Sequence, residues 1–238
     1  MLRKRLRQHA GDERGTTLIE LMVGLAAGLV VLAGLTTLVL VTLNTTSRVS
    51  ARVHATQAAR LTLTRVIDQL HSACIAPKVP PIRSGAAASE LQFIHATGSA
   101  VSPVPTLTKI TYSGGTLTQR DYAWKSGTTP LWTFNEVSPA RTVVLNDRIA
   151  PVTGTPVFAY YGNQGGNLTT LTPETLVAGV PTLGAEKAAK VIQVTMTFKA
   201  LPPSGKIEEA TPARIQGSAS LRLTATSYSP TAPATPCQ

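Results

Sequence analysis

The sequence predicts an α+β protein in which a long N-terminal helix packs on an antiparallel β-sheet domain. An apolar stretch without any charged residue, 21–43, is followed by a segment without glycine or proline, 44–76. Such a continuous pattern favours one helix with a transmembrane half and an amphipathic half. After Pro77, short segments of alternating polarity are separated by glycine-rich turns, which is typical of β-strands.

The apolar stretch is long enough to cross a membrane. As a helix it would be roughly 35 Å long at about 1.5 Å per residue, against a hydrocarbon core of about 30 Å. A short basic segment, 1–15, precedes it, and basic flanks tend to stay in the cytoplasm. We therefore expect a single-pass membrane protein with a cytoplasmic N-terminus and an extracytoplasmic C-terminal domain. A plain signal anchor is the simplest alternative.

The junction between the basic segment and the apolar stretch carries a motif. Residues 14–25 read Arg-Gly-Thr-Thr-Leu-Ile-Glu-Leu-Met-Val-Gly-Leu. This segment resembles the cleavage and methylation segment of type IV prepilins and pseudopilins. The resemblance implies that a prepilin peptidase cuts between Gly15 and Thr16, that the amino group of Thr16 is methylated, and that Glu20 becomes the fifth mature residue. The family usually has Phe at the first mature position. Because this chain has Thr16 there instead, the resemblance implies cleavage more strongly than methylation.

Three residues at the head of the apolar stretch are candidates for assembly contacts. A carboxylate at membrane depth is costly, so Glu20 is expected to have a partner. The resemblance implies that this partner is the α-amino group of Thr16 on a neighbouring subunit. Gly24 and Gly28 have the spacing that lets two helix backbones approach closely. The alternative is that glycine is simply common in membrane helices.

The predicted organisation has five parts. They are the cytoplasmic leader 1–15, the transmembrane and assembly helix 16–43, its amphipathic continuation 44–76, the β-rich extracytoplasmic domain 77–228 and the Pro/Thr-rich tail 229–238. The continuation is expected to pack on the domain through an apolar stripe, formed by Val49, Val53, Leu61, Val66, Ile67, Leu70 and Cys74.

Within the domain, alternation and turn residues predict strands and one short helix. A hairpin is expected around Ser113-Gly114-Gly115, and the clearest alternation is that of 191–199. The predicted strands are 90–96, 109–112, 116–122, 142–149, 157–161, 191–199 and 218–227, and the predicted helix is 183–190.

Charge and cysteine content narrow the function classes. The formal net charge is +10, but the cations are scattered and not interleaved with aromatic residues. This favours a generally basic solvated surface over specific DNA binding. Cys74 and Cys237 both fall outside the predicted membrane segment, where a disulfide between them is permitted, with two free thiols as the alternative. No Cys-x-x-Cys or ligand-spaced histidine set predicts a metal site.

No catalytic motif or cofactor site is found, so we expect a structural protein and not an enzyme. Residues 107–200 also resemble, loosely, PilW-type minor pilins and J-type pseudopilins. The expected function is a minor subunit that initiates or caps a type IV pilus at the cell surface. Its partners would be prepilin peptidase, other pilin or pseudopilin subunits, the inner-membrane assembly platform and membrane lipid. The alternatives are a pseudopilin of a type II secretion or competence system and a membrane-anchored binding module that does not polymerise.

Overall fold

The first element is a single long helix. The computed structural model describes residues 17–74, 79–99, 102–127, 131–202 and 212–221. Helix α1 (Leu18–His71) is preceded by Thr17, whose Oγ1 accepts a hydrogen bond from the Glu20 N–H at 3.3 Å. Threonine followed three residues later by glutamate is a capping-box pattern, and it explains why the helix begins here.

Helix α1 ends at His71, before the predicted boundary at residue 76. Ala73 then forms a bridge with His95, and the Cys74 N–H donates to the Ile94 carbonyl at 2.7 Å. The chain leaves the helix because these backbone groups pair with a strand edge. The predicted α+β class is confirmed, with the helix packed against antiparallel sheets.

The chain divides into two units, Met1–Val49 and Ser50–Gln238. In the second unit, one stripe of α1 enters the core through Ala59, Thr62, Leu63, Val66 and Leu70. The predicted stripe was therefore only partly right. Val66 and Leu70 are buried, whereas the side chains of Val49, Val53 and Leu61 are exposed.

This difference follows from helix geometry and residue size. Positions 59, 63, 66 and 70 are spaced by four, three and four residues, which keeps them on one face. Leu61 lies two residues from Leu63 and so falls on another face, where it is 72% exposed. The buried face instead uses Ala59 and Thr62, which are small and allow close approach to the sheets.

The first sheet is antiparallel and follows the chain order. Its middle strands are joined by a two-residue turn at Gly114 and Gly115, with φ values of 56° and 85°. Positive φ at both positions suits a type I′ hairpin, so the predicted turn is confirmed. The strands are β1 (Glu90–Ser99), β2 (Ser102–Ser113), β3 (Thr116–Ser126), β4 (Thr133–Phe134) and β5 (Arg141–Asn146), in the order β1-β2-β3, with β4 and β5 both pairing with β3.

The second sheet is built around the strand that carries the alternation seen in the sequence. The remaining elements are β6 (Ile149–Ala150), β7 (Phe158–Gln164), β8 (Asn167–Thr170), β9 (Thr175–Val177), β10 (Val180–Thr182), α2 (Ala185–Ala189), β11 (Val191–Ala200) and β12 (Ala213–Ser220). The central strand is β11, the order is β12-β11-β7-β8, and β6 also pairs with β11. A separate hairpin, β9–β10, and the short helix α2 lie between β8 and β11 along the chain.

The predicted short helix and the strand 191–199 are confirmed. The last predicted strand, 218–227, overlaps β12 only at its beginning, because β12 starts earlier, at Ala213, and ends at Ser220. Its remaining residues from 222 onward, and the predicted tail, lie outside the described residues. β12 also lies close to α1, since a Cβ added at Gly217 would be 2.6 Å from Leu63 Cδ2.

A short segment, 85–90, joins the two sheets through its backbone. Its carbonyls accept hydrogen bonds from the second sheet at Phe158 N–H (2.9 Å, to Ala88) and from the first at Tyr112 N–H (2.8 Å, to Ser89). Leu183, next to β10, also donates to this segment, at 2.7 Å. Backbone groups buried away from water need such partners, so the segment fixes the spacing of the sheets.

Tyr160 of β7 completes this junction. Its ring is 1% exposed, and its hydroxyl lies 3.0 Å from the Ala87 carbonyl and 2.7 Å from the Glu90 carbonyl. Burial, with a contribution from the Glu90 carboxylate, raises the pKa of Tyr160 well above its usual range. The hydroxyl therefore stays protonated and shares its proton between the two carbonyls.

Tyr160→Phe tests how much this junction stabilises the fold. Each of the two carbonyls would lose the hydroxyl but keep one backbone donor, because Ala87 and Glu90 also hydrogen-bond to each other. We therefore expect a loss of about 1 kcal/mol in the free energy of unfolding. Urea unfolding of the full chain in detergent would measure it. Tyr161→Phe is the matched control, expected within about 0.5 kcal/mol of the original chain. Equal effects of the two substitutions would show that the Tyr160 hydroxyl does not hold the junction.

Candidate membrane and assembly site

The N-terminal part of α1 is apolar on every side. Helix α1 contains a stretch long and apolar enough to cross a membrane, and none of that stretch is buried. Leu29, Val30 and Leu32, which point in different directions around the helix, are 57%, 72% and 60% exposed. A helix that is apolar all round needs a membrane or other helices to cover it. The segment is therefore compatible with a membrane anchor.

Threonine hydroxyls in this part of the helix find partners within it. Thr36, Thr37 and Thr42 each donate to the carbonyl four residues earlier, at 2.8 Å. A hydroxyl satisfied in this way can face lipid without an unpaired polar group. The threonines therefore do not argue against a membrane environment.

Glu20 lies in the first turn of α1 and is exposed. Its backbone N–H is held by Thr17, while its carboxylate forms no ion pair within the described residues. A negative charge here is favourable because the helix N-terminus carries a partial positive charge. Gly15 and Thr16 lie outside the described residues, so the predicted cleavage site has no structural description.

Gly24 and Gly28 share one face of the helix, since they are four residues apart. A Cβ added at either glycine would meet nothing within 4 Å. Both positions are exposed, so this face is open to a second helix. Their role in helix packing stays a prediction.

A polar network in the second unit was not found from the sequence. The Thr108 hydroxyl donates to Asp121 Oδ1 at 2.7 Å and lies 3.0 Å from His95 Nε2. A hydroxyl has one proton, and a carboxylate accepts only. His95 must therefore donate from Nε2 to Thr108.

The network continues towards helix α1 through two amides. Gln119 Nε2 donates to Asp121 Oδ1 at 2.8 Å, which leaves its Oε1 to accept from Gln69 Nε2 at 3.2 Å. Gln69 Oε1 then ends the chain, buried and with no protein partner among the described residues. Every bond in the series is oriented by the Asp121 carboxylate, which only accepts.

This orientation argues for a structural role of the network. A catalytic threonine would donate its proton to the histidine, but here Thr108 donates to Asp121 and His95 donates to Thr108. Thr108 is 0% exposed and Gln119 is 2% exposed, so little of the network is accessible to a substrate. Its effect is to join α1 to the first sheet. The indication of this network in the sequence was that polar residues occupy strand positions that face the core.

Cys74 is 1% exposed and packs in a small second cluster with Val79, Ile94 and Leu107. Cys237, its predicted disulfide partner, lies outside the described residues. The bridge therefore stays a prediction.

The two tryptophans differ in their environment. Trp132 is partly buried and packs on the second cluster, as expected for a core residue. Trp124 is 44% exposed, with its indole N–H directed to the Gly127 carbonyl at 3.3 Å.

Comparison with known proteins places the chain in no family. No family model matches it, and neither does any curated protein or solved structure. The function must therefore be argued from the motif, the helix and the domain described above.

His95 provides a pH-dependent test of the network. Burial lowers the pKa of His95, although the Asp121 carboxylate opposes this. Below the unfolded value of about 6.5 the unfolded chain then binds more protons than the folded one. We expect stability to be full above about pH 6.5 and to fall as the pH drops below it, by at most about 1.4 kcal/mol per pH unit.

His95→Gln keeps an N–H donor for Thr108 but cannot titrate, so its stability should vary less between pH 7.5 and pH 5. Urea unfolding at several pH values in this range would measure both proteins. Parallel profiles would mean that folding does not change the pKa of His95.

Proposed function

We propose that this chain is a minor pilin-like structural subunit, which a prepilin peptidase processes and which initiates or caps a type IV pilus. The observation that carries the proposal is the segment 14–25, placed between a basic leader and an apolar helix. Helix α1 begins at Leu18, directly after the proposed cut and its Thr17 cap. The helix start therefore coincides with the proposed mature N-terminus.

Cleavage would change the charge at this helix end. The new α-ammonium group of Thr16 would lie beside the partial positive charge of the helix N-terminus, which is unfavourable. A carboxylate one turn into the helix offsets that cost, and Glu20 is in this position. In a bundle of such helices, the Glu20 of one subunit would pair with the Thr16 amino group of the next.

The exposed helix is suited to two environments in turn. Lipid would cover it before assembly, and neighbouring helices would cover it in a fibre. The open face at Gly24 and Gly28 supports close helix packing. The second unit, in which the buried stripe of α1 packs on the sheets, would then lie outside the membrane.

The first test is the intact mass of the protein purified from its native membrane. We expect a mature chain that begins at Thr16, with or without one methyl group. Gly15→Leu should block processing, and Gly11→Leu, in the same leader, should not. A chain that keeps residues 1–15 would contradict the proposal and favour a membrane-anchored binding module.

The same measurement tests the predicted bridge. Reduction should add two hydrogen atoms to the mass if Cys74 and Cys237 are joined. In the chain-entropy model such a long-loop bridge stabilises the fold by roughly 4–5 kcal/mol. An unchanged mass would mean two thiols.

The pairing role of Glu20 is tested by Glu20→Gln, which keeps the shape and removes the charge. An unpaired buried ammonium group costs about 3–5 kcal/mol, so we expect normal cleavage but at least tenfold less subunit in sheared fibres. Quantitative immunoblotting of fibres and membranes would measure this. Thr17→Ala removes the helix cap but keeps the carboxylate, and should enter fibres at near-normal levels. If the Glu20→Gln subunit were found in fibres at the level of the original chain, the pairing would be refuted.

A further inference from the structure

The second sheet carries two cations directly opposite each other. Lys199 of β11 pairs in register with Arg214 of β12. Directly opposed residues of an antiparallel pair share one face, with Cα atoms about 4.5–5.5 Å apart. Arg214 is exposed, and Lys199 is partly exposed. Opposed like charges are destabilising, so this pair carries a cost within the isolated subunit.

A third cation lies on the other side of Lys199. The Leu201 N–H donates to the Arg148 carbonyl at 2.9 Å, and Ala150 lies opposite Lys199. Arg148 directly precedes β6, and this backbone bond places it beside the end of β11 that carries Lys199. Arg148, Lys199 and Arg214 are called the basic triad below.

The basic triad has little compensation among the described residues. Lys199 and Arg214 form no ion pair there, and Arg214 Nη2 donates only to the neutral Gln216, at 3.0 Å. Asp147 Oδ1 lies 3.9 Å from Arg148 Nε, and both side chains are mostly exposed. Such an exposed pair contributes little.

The first sheet shows how this chain compensates a similar pair. Lys109 lies opposite Arg120, and Lys109 Nζ is 2.6 Å from Glu136 Oε2. Arg83 Nη1 is 3.3 Å from the other oxygen of Glu136. Although partial burial opposes it, these two cations hold the pKa of Glu136 below its usual range. The basic triad lacks a carboxylate in the corresponding position among the described residues.

We propose that the basic triad is a docking surface for a carboxylate-rich face of a different protein subunit. This inference rests on the proposed function, in which the chain is one of several subunits in a fibre. Charge complementarity selects the occupant. The chain has a formal net charge of +10 and stays clearly basic without the leader, so a second copy would bring repulsion, whereas an acidic partner would offset the opposed cations.

The first test asks whether the basic triad is satisfied within the chain. Glu208 and Glu209, in the connection from β11 to β12 and outside the described residues, are the internal competitors. In the full chain in detergent, Lys199→Gln should leave Tm unchanged or raise it. Lys109→Gln, which loses Glu136, should lower Tm. A similar loss of Tm in both variants would show that Lys199 has an internal partner and would overturn the proposal.

The second test uses a defined carboxylate probe. We expect the full chain in detergent to bind labelled poly-L-glutamate in a fluorescence anisotropy titration. The double variant Lys199→Glu/Arg214→Glu should bind at least tenfold more weakly, and Lys125→Glu, an exposed cation elsewhere, should bind as the original chain does. Unchanged binding by the double variant would overturn the proposal. So would triad-dependent binding to duplex DNA or to phosphatidylglycerol vesicles that is tighter than binding to poly-L-glutamate.

These outcomes are separable from those of the proposed function. A chain cleaved at Thr16 whose basic triad fails both tests keeps the subunit assignment and loses the docking surface. A chain that keeps residues 1–15 but passes both tests keeps an acid-binding surface and loses the fibre.

Discussion

The buried hydroxyl of Tyr160 lies at the junction that sets how the two sheets and helix α1 fit together. It reaches the carbonyls of Ala87 and Glu90 from the second sheet, while the neighbouring backbone pairs with strands of the first. A phenol can be buried only where its hydroxyl has a partner. The site therefore accepts one arrangement of the two sheets and the segment between them. Since α1 contacts both the first sheet and Gly217 of the second, its buried face depends on that arrangement as well.

Hydrogen bonds determine the position of α1 more closely than apolar packing alone could. Thr62 Oγ1 lies 3.2 Å from the Leu145 carbonyl, and Gln69 reaches Gln119 through the series that ends at Asp121. Apolar contacts tolerate sliding along a helix, whereas these bonds need specific donor and acceptor positions. These bonds therefore hold the buried part of α1 in one register on the sheets.

The elements predicted correctly are those with strong local signals. The Gly114–Gly115 turn supplies positive φ, and β11 alternates between apolar and polar residues from Ile192 to Ala200. The β9–β10 hairpin was missed because the first residue of its turn is Ala178, with a φ of 50°, at a position where asparagine, aspartate or glycine is usual. The stripe of α1 and the network at Asp121 depend on which residues of distant strands face the helix. Such long-range partners are not encoded in helical periodicity. The error at Leu61 is of another kind, since its spacing of two residues from Leu63 already places it on a different face.

Under the proposed function, the helix cap separates two consequences that cleavage would have. Thr17 caps α1 with its own side chain, and this bond needs nothing from residues 1–15. Removing the leader would therefore leave the helix start unchanged and alter only the charges beside it. The leader's own cations would go, and one ammonium group would appear next to Glu20. A precursor would carry an unpaired carboxylate at the membrane, and a processed subunit would carry both members of a pair. The proposed processing would therefore change which helices can pack together while leaving the fold of each subunit as it was.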